Sequence, residues 1–364
     1  MTGPSGDTNR IDRFLAILPK RSGSDLHLSV GCPPIVRIDG EIERMRYRAL
    51  SEGDFYNLLG PITPPKIWES FNETGDVDFA YQMGQQARFR VNLLRQERGS
   101  AAVLRLIPSR VPTVEDLNLP APIAGLYAVP RGLILVTGPT GSGKSTTLAA
   151  VLDRVNRRLS HHVITIEDPI EFVHTNDRSI FTQREIGPDV ASFAEGVKAA
   201  IREDPDCLLV GEMRDLETMR MALTAAETGL LVFATVHTNS AAKAVDRVID
   251  AFPAGEQEQV RIVLAEALRG VVAQQLLRKK GGGRLAAFEI LLGSSALSNS
   301  IREGKTALIN NQIATGKSKG MISMDQSLTE LVKSGVVEPG EALERAIDKE
   351  TFKGMIAALP RGQV

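Results

Sequence analysis

Cysteine is scarce: Cys32 and Cys207 are the only two in 364 residues. Two thiols cannot build a disulfide framework or a four-thiolate zinc site, and such usage fits a reducing cytoplasm. Cys207 sits in an apolar run and reads as a small buried residue. Aromatics are also few, at 5% with a single Trp, so the stacking platforms of a single-strand nucleic-acid groove are lacking. Neither sign of charge dominates. The 43 basic and 44 acidic residues leave a net charge of -1, which speaks against coating nucleic acid. No apolar stretch approaches the length of a membrane span, and the N-terminus has no hydrophobic signal core, so any membrane role is expected to be peripheral. What is present is an ordinary globular mix, 43% hydrophobic and 24% charged, long enough for two domains with cores.

Residues 1–10 are small and polar and read as a disordered tail. Residues 11–18 read as a short helix ending at Pro19. From there to residue 110 the segments DLHLSV, PIVRIDGEIERM, VDFAYQM, RFRVNLL and AAVLRLI alternate with period two, giving a strand-rich α+β domain over 11–110. Pro108, Pro112, Pro120 and Pro122 punctuate the next passage, and 111–122 is expected to be a locally stiff linker. Beyond it apolar strands (GLILVT, HVITIE, CLLVGE, LLVFATV) alternate with helices, the signature of a parallel sheet with crossover helices over 123–364. Residues 256–280 read as one long helix, 281–283 (GGG) as a flexible break, and the remainder as mostly short helices.

Residues 138–146 spell GPTGSGKST between a strand and a helix, matching GxxxxGK[ST] in pattern and context. Gly138, Gly141 and Gly143 let backbone N–H groups face phosphates, and Pro139, Thr140, Ser142 and Thr146 complete the cradle. Lys144 can reach the β- and γ-phosphates of ATP, and the Ser145 hydroxyl can ligate Mg2+. A second GKS at 316–318 lacks both the leading Gly and the strand, and reads as a surface turn. CLLVGE ends its strand in Glu212, an acid suited to the metal. ITIEDPIEF (164–172) places Glu167, Asp168 and Glu171 just past another strand end, where a cation can offset their repulsion. His237 closes a fourth strand and could sense the γ-phosphate or a water.

Together these stretches resemble the secretion ATPase superfamily that drives type II secretion and type IV pili, and within it the pilus retraction motors of the PilT kind. SDLHLSVGCPPIVRIDG, FRVNLLRQERGSAAVLRLIP, ITIEDPIEFVH and the long run from REDPDCLLVGEMRD to AKAVDRVID carry the resemblance, which covers nearly everything from residue 11 onward. It implies an α/β architecture: an N-terminal PAS-like α+β domain, a RecA-like P-loop ATPase domain and a helical C-terminal region, assembled as a homohexamer. It also implies that Glu171 is the general base, that Glu212 supports magnesium and water, and that His237 belongs to a catalytic His box. Arg90 and Arg105 match arginines that the family brings onto nucleotide from its N-terminal domain. The implied setting is cytoplasmic, peripheral at the inner membrane, on a PilC-like platform protein, with a paralogous retraction ATPase as a possible companion and no nucleic acid.

The resemblance implies a motor in which hydrolysis releases γ-phosphate contacts and lets the domains reopen. Extension and secretion motors carry a longer N-terminal region and a cysteine-rich zinc element, both missing here. One box departs: where retraction motors read AIRNLIRE, this chain reads ALSNSIRE at 296–303. An accessory PilU-like motor, a type II secretion or pilus assembly ATPase, a DNA translocase and a non-hydrolysing scaffold stay as alternatives.

Overall fold

Alternation governs the first half of the chain. In the strand Ala87–Gln96, Phe89, Val91 and Leu93 are fully buried while Arg88, Arg90 and Asn92 between them are not, as a sheet covered on one face requires. The computed structural model describes residues 9–21, 23–38, 40–84, 86–107 and 110–357. Residues 1–8 of the expected tail and Pro108 of the proline-punctuated passage lie outside the described residues. Two units are distinguished: Met1–Arg110 with Pro169–Phe172, and Val111–Asp168 with Val173–Val364.

The first unit holds an antiparallel sheet of six strands: β1 (Gly23–Ser29), β2 (Ile35–Ile38), β3 (Glu41–Arg44), β4 (Asp76–Met83), β5 (Ala87–Gln96) and β6 (Gly99–Ile107), in the order β3-β2-β1-β6-β5-β4. Two helices, Glu52–Leu59 and Pro65–Thr74, contribute Phe55, Leu59 and Phe71 to its core. The first of them starts at a capping box, in which the Ser51 hydroxyl accepts from the Asp54 amide and the Asp54 carboxylate accepts from the Ser51 amide. The N-terminal helix does not stop at Pro19. That residue lies inside the turn Ile17–Lys20, in a helix too short for its missing N–H to matter.

The second unit is built on seven strands: β7 (Gly132–Thr137), β8 (His162–Glu167), β9 (Ile180–Glu185), β10 (Cys207–Val210), β11 (Leu231–Val236), β12 (Leu268–Arg278) and β13 (Arg284–Leu292). Their order is β13-β12-β7-β11-β10-β8-β9, all parallel except the β12–β13 pair. Central strands such as β7 and β11 are buried along their whole length because both faces are covered. Leu133 and Leu135 join one core, Ile134 and Val136 the other. Helices Lys144–Arg158, Phe193–Ala200, Leu216–Glu227 and Ala241–Asp250 cross over between strands. Ser192, Asp215 and Ser240 cap the last three through their side chains.

The expected long helix over 256–280 is corrected. The helix covers Gln257–Ala267, and at Leu268 the chain becomes extended and runs on as β12. Buried on both faces, that strand has no alternation to separate it from a buried helix. The GGG run is the hairpin turn into β13, with φ of 81°, 100° and 78° at Gly281, Gly282 and Gly283. The edge strand β9 carries no strong apolar pattern and was not expected.

Candidate nucleotide site

The loop 138–146 leaves β7 and enters the helix Lys144–Arg158. Its glycines are held in conformations that side chains resist: φ is 150° at Gly138, 77° at Gly141 and 88° at Gly143. Space reinforces this at two of them. A Cβ on Gly138 would stand 2.3 Å from the Gln274 carbonyl oxygen and 2.5 Å from Ser142 Oγ, and one on Gly143 2.8 Å from Gln274 Nε2. The helix begins at N-cap Gly143 with no side chain capping it, so its first amides remain for an anion. Ser142 Oγ is buried without a hydrogen-bond partner among the described residues. Lys144 is buried, its Nζ donating to the carbonyl oxygens of Gly138 at 2.9 Å and Pro139 at 3.2 Å. Ser145 and Thr140 are exposed, and Thr146 is partly so. A cradle that Cβ atoms would fill, uncapped amides and an orphaned hydroxyl fit a phosphate chain. The second GKS sits in an exposed 3-10 turn, Lys317–Lys319.

Strand tips are laced to one another and to the end of β7, where this loop begins. Thr137 Oγ1 at the end of β7 donates to the Thr238 carbonyl at 2.7 Å, and the Thr238 amide donates back to that hydroxyl at 2.8 Å. Thr235 Oγ1 on β11 donates to the Gly211 carbonyl at 2.6 Å, and the Gly211 amide to Ile166 on β8 at 2.8 Å. Glu212 lies two residues past β10 and His237 one past β11, and the two meet, Oε1 to Nε2, at 2.6 Å. Arg214 also pairs with Glu212. Parallel pairing thus brings Glu212 and His237 together beyond the carboxyl ends of the sheet, the end at which the phosphate loop leaves β7.

The three acids after β8 separate in role. Glu167 is turned back on its own sheet, accepting from Thr165 Oγ1 at 2.7 Å and Gln183 Nε2 at 3.3 Å. Asp168 is exposed. Glu171 is exposed within Pro169–Phe172, the segment grouped with the first unit. In that unit Arg90 and Arg105 stand opposite each other on β5 and β6. Arg90 Nε donates to Asp78 at 3.2 Å and Arg105 Nε to Asp25 at 2.7 Å.

Gln274 escaped sequence reasoning, as did Thr147, Arg214 and Thr238. Gln274 on β12 touches the loop directly, and the misread helix hid it. The spacing of an amide on a buried strand beside β7 could have been found only by placing β12 as a strand.

A phosphate loop at a strand–helix junction, an acid beyond the tip of another strand of the same sheet and a doubly wound sheet define a P-loop ATPase. The family described as type II/IV secretion system protein matches residues 72–354. The chain is 50% identical over 342 residues, 94% of its length and 99% of the relative's, to the type IV pilus retraction ATPase PilT of Pseudomonas aeruginosa. It is 35% identical over 346 residues, 95% of its length and 91% of the relative's, to the type IV pilus ATPase PilU of the same organism. Among solved structures, the pilus retraction motor PilT with bound ADP superimposes with a TM-score of 0.88 at 42% identity, over 96% of this chain and all of that one. The chain belongs to the type II/IV secretion system family, and it is an ATPase of the pilus retraction kind. Among the described residues no helix is long and apolar enough to cross a membrane.

Proposed function

We propose that this chain is one subunit of a homohexameric motor that hydrolyses Mg2+–ATP in the cytoplasm and pulls type IV pili inward through a platform protein at the inner membrane. The observation that carries the nucleotide reading is the phosphate loop itself, with Lys144 buried against its carbonyls and Gly138 and Gly143 where no Cβ fits. Bound Mg2+–ATP supplies the γ-phosphoryl group and the cation that neutralises its developing charge. The amides of 141–146 bind the phosphates, and Lys144 exchanges its two carbonyl partners for phosphate oxygens. Ser145 and Glu212 would hold the metal. Glu171 takes the proton of the attacking water, His237 orients Glu212, and Arg90 and Arg105 add positive charge to the phosphates.

Identity of 50% to PilT against 35% to PilU supports the primary retraction role over the accessory one. The ALSNSIRE run at 296–303 forms the helix Ser295–Arg302, capped by Ser294, so the departure changes side chains without removing the element. The test is a deletion strain scored for pilus number and surface motility. Hyperpiliated, non-motile cells are expected; loss of pili would turn the reading toward assembly.

A further inference from the structure

We infer that Gln274 is a positioning residue that sets the shape of the phosphate loop, an inference that rests on the nucleotide reading above. Its side chain, 3% exposed, reaches both parts of the cradle. Nε2 donates to the Ser142 carbonyl at 2.7 Å, and Oε1 accepts from Thr147 Oγ1 at 2.8 Å. A backbone carbonyl can only accept, so the amide has one orientation that satisfies both partners. Ser142 belongs to the loop and Thr147 to the first turn of the following helix. One planar amide therefore fixes the loop against the helix whose amides must converge on the same phosphates.

The backbone of β12 does the rest. β12 pairs in parallel with β7, Ala273 opposite Thr137, so Gln274 falls beside the first residue of the loop. The Gln274 backbone carbonyl oxygen fills the place where a Cβ on Gly138 would stand, and its side-chain Nε2 crowds the place of one on Gly143. The first and third glycines of the loop are thus explained by contact with β12, before any phosphate is considered. A loop with three residues at positive φ has many alternative conformations to lose. Holding it in one of them before ligand arrives is worth affinity.

The experiment measures affinity of the purified full-length protein for a fluorescent ADP analogue, with steady-state ATP turnover and thermal unfolding without nucleotide alongside. Gln274→Met is neutral and similar in volume. It is expected to weaken ADP about tenfold, the order expected of a lost buried hydrogen bond, and to raise KM more than it lowers kcat. Thr147→Val is expected to weaken binding in the same direction and Thr147→Ser to restore it. Because the two residues share one bond, the double variant Gln274→Met/Thr147→Val costs less than the product of the singles. Gln275→Met, on the same strand but donating to the Arg345 carbonyl instead, leaves affinity unchanged. Wild-type affinity in Gln274→Met, or equal weakening by Gln275→Met, overturns the inference. Should Gln274→Met fail to fold, the Thr147→Val and Thr147→Ser pair decides it: no loss, or no rescue, overturns it. Lys144→Ala separates the two levels. If wild type binds ADP and Lys144→Ala does not, the nucleotide reading stands whatever Gln274 does; if wild type binds none, both fall.

Discussion

His237 Nε2 stands 2.6 Å from Glu212 Oε1, so the segments that leave two adjacent parallel strands meet in a polar contact. Arg214, which also pairs with Glu212, is largely exposed, whereas the Glu212 carboxylate is not. His237 is less exposed than Arg214, 38% against 77%, so the imidazole is the better held of the two partners of Glu212. His237→Ala is expected to cut phosphate release about a hundredfold, the scale of a misplaced acid–base group, while ADP affinity stays within about twofold. Parallel loss of affinity and turnover would make His237 a binding residue instead.

Glu171→Gln keeps size and hydrogen bonding but cannot take a proton. With Glu171 exposed on the segment after β8, the change is expected to leave folding untouched and ATP affinity near wild type, and to lower turnover by about 10² to 10⁴. Single-turnover phosphate release and nucleotide affinity on the same preparation check it. Turnover that survives moves the role of base to Glu212.

Arg105 is engaged with Asp25 at 2.7 Å. Burial pushes the Asp25 carboxyl up, but hydrogen bonds from Ser24 and Arg105 outweigh it and hold the group below the usual carboxylate range. The bond uses Nε, so the guanidinium can hold Asp25 and still present its terminal N–H groups to an anion. Arg105→Ala is expected to reduce turnover about a thousandfold, as for other arginine contacts in phosphoryl transfer, with an unchanged elution volume in size-exclusion chromatography. Asp25→Asn removes the same ion pair without removing the arginine. Equal losses in both variants would show that the pair serves the sheet and not the reaction.

The elements that announced themselves did so through period and punctuation. Apolar runs such as LLVFATV could be read as parallel strands, and Gly229, at φ 112° just past the helix Leu216–Glu227, stops that helix as expected. The loop 138–146 was legible because chemistry forces its residue types and its strand–helix context together. Gln274 was not, since LRGVVAQQLLR has no period that separates a doubly buried strand from a helix, and the join between them is a dihedral change at Leu268. The pairing of Glu212 with His237 was out of reach for another reason: strand order places β11 beside β10, and a sequence carries no record of that order. Glu171 alone of the three acids at the end of β8 and beyond had a role assigned from the sequence; that Thr165 and Gln183 hold Glu167 follows from the pairing of β8 with β9, which the sequence did not disclose.

Two glycines of the loop should answer alanine differently. At Gly141, φ is 77° but nothing lies within 4 Å of a Cβ, so Gly141→Ala costs only the left-handed conformation, about 1 kcal/mol. At Gly138 a Cβ meets the Gln274 carbonyl at 2.3 Å; one side or the other must move, with a cost of about 3 kcal/mol. Thermal unfolding and ADP affinity of the two variants are expected to rank Gly138→Ala well below Gly141→Ala. The reverse ranking would mean that β12 does not constrain the loop.

His174 gives the protein a built-in sensitivity to acid. The residue is buried, its ring stacks on Phe181 with centroids 4.4 Å apart, and its amide donates to Gln183 Oε1 at 2.8 Å. Burial pushes the imidazole pKa down to about 4 from the ordinary 6.5. A group whose folded pKa is depressed binds its proton first in the unfolded chain, so its contribution is fully present above about pH 6.5 and is lost as pH falls toward 4. At pH 5 the loss from this one residue is about 2 kcal/mol. His174→Gln cannot titrate. The drop in thermal midpoint between about pH 7.5 and pH 5 is therefore expected to be smaller in His174→Gln than in wild type, whatever the two midpoints are at neutral pH. Because the comparison is a difference of differences, lost packing against Phe181 cancels, and an equal drop in both proteins would place the acid sensitivity elsewhere.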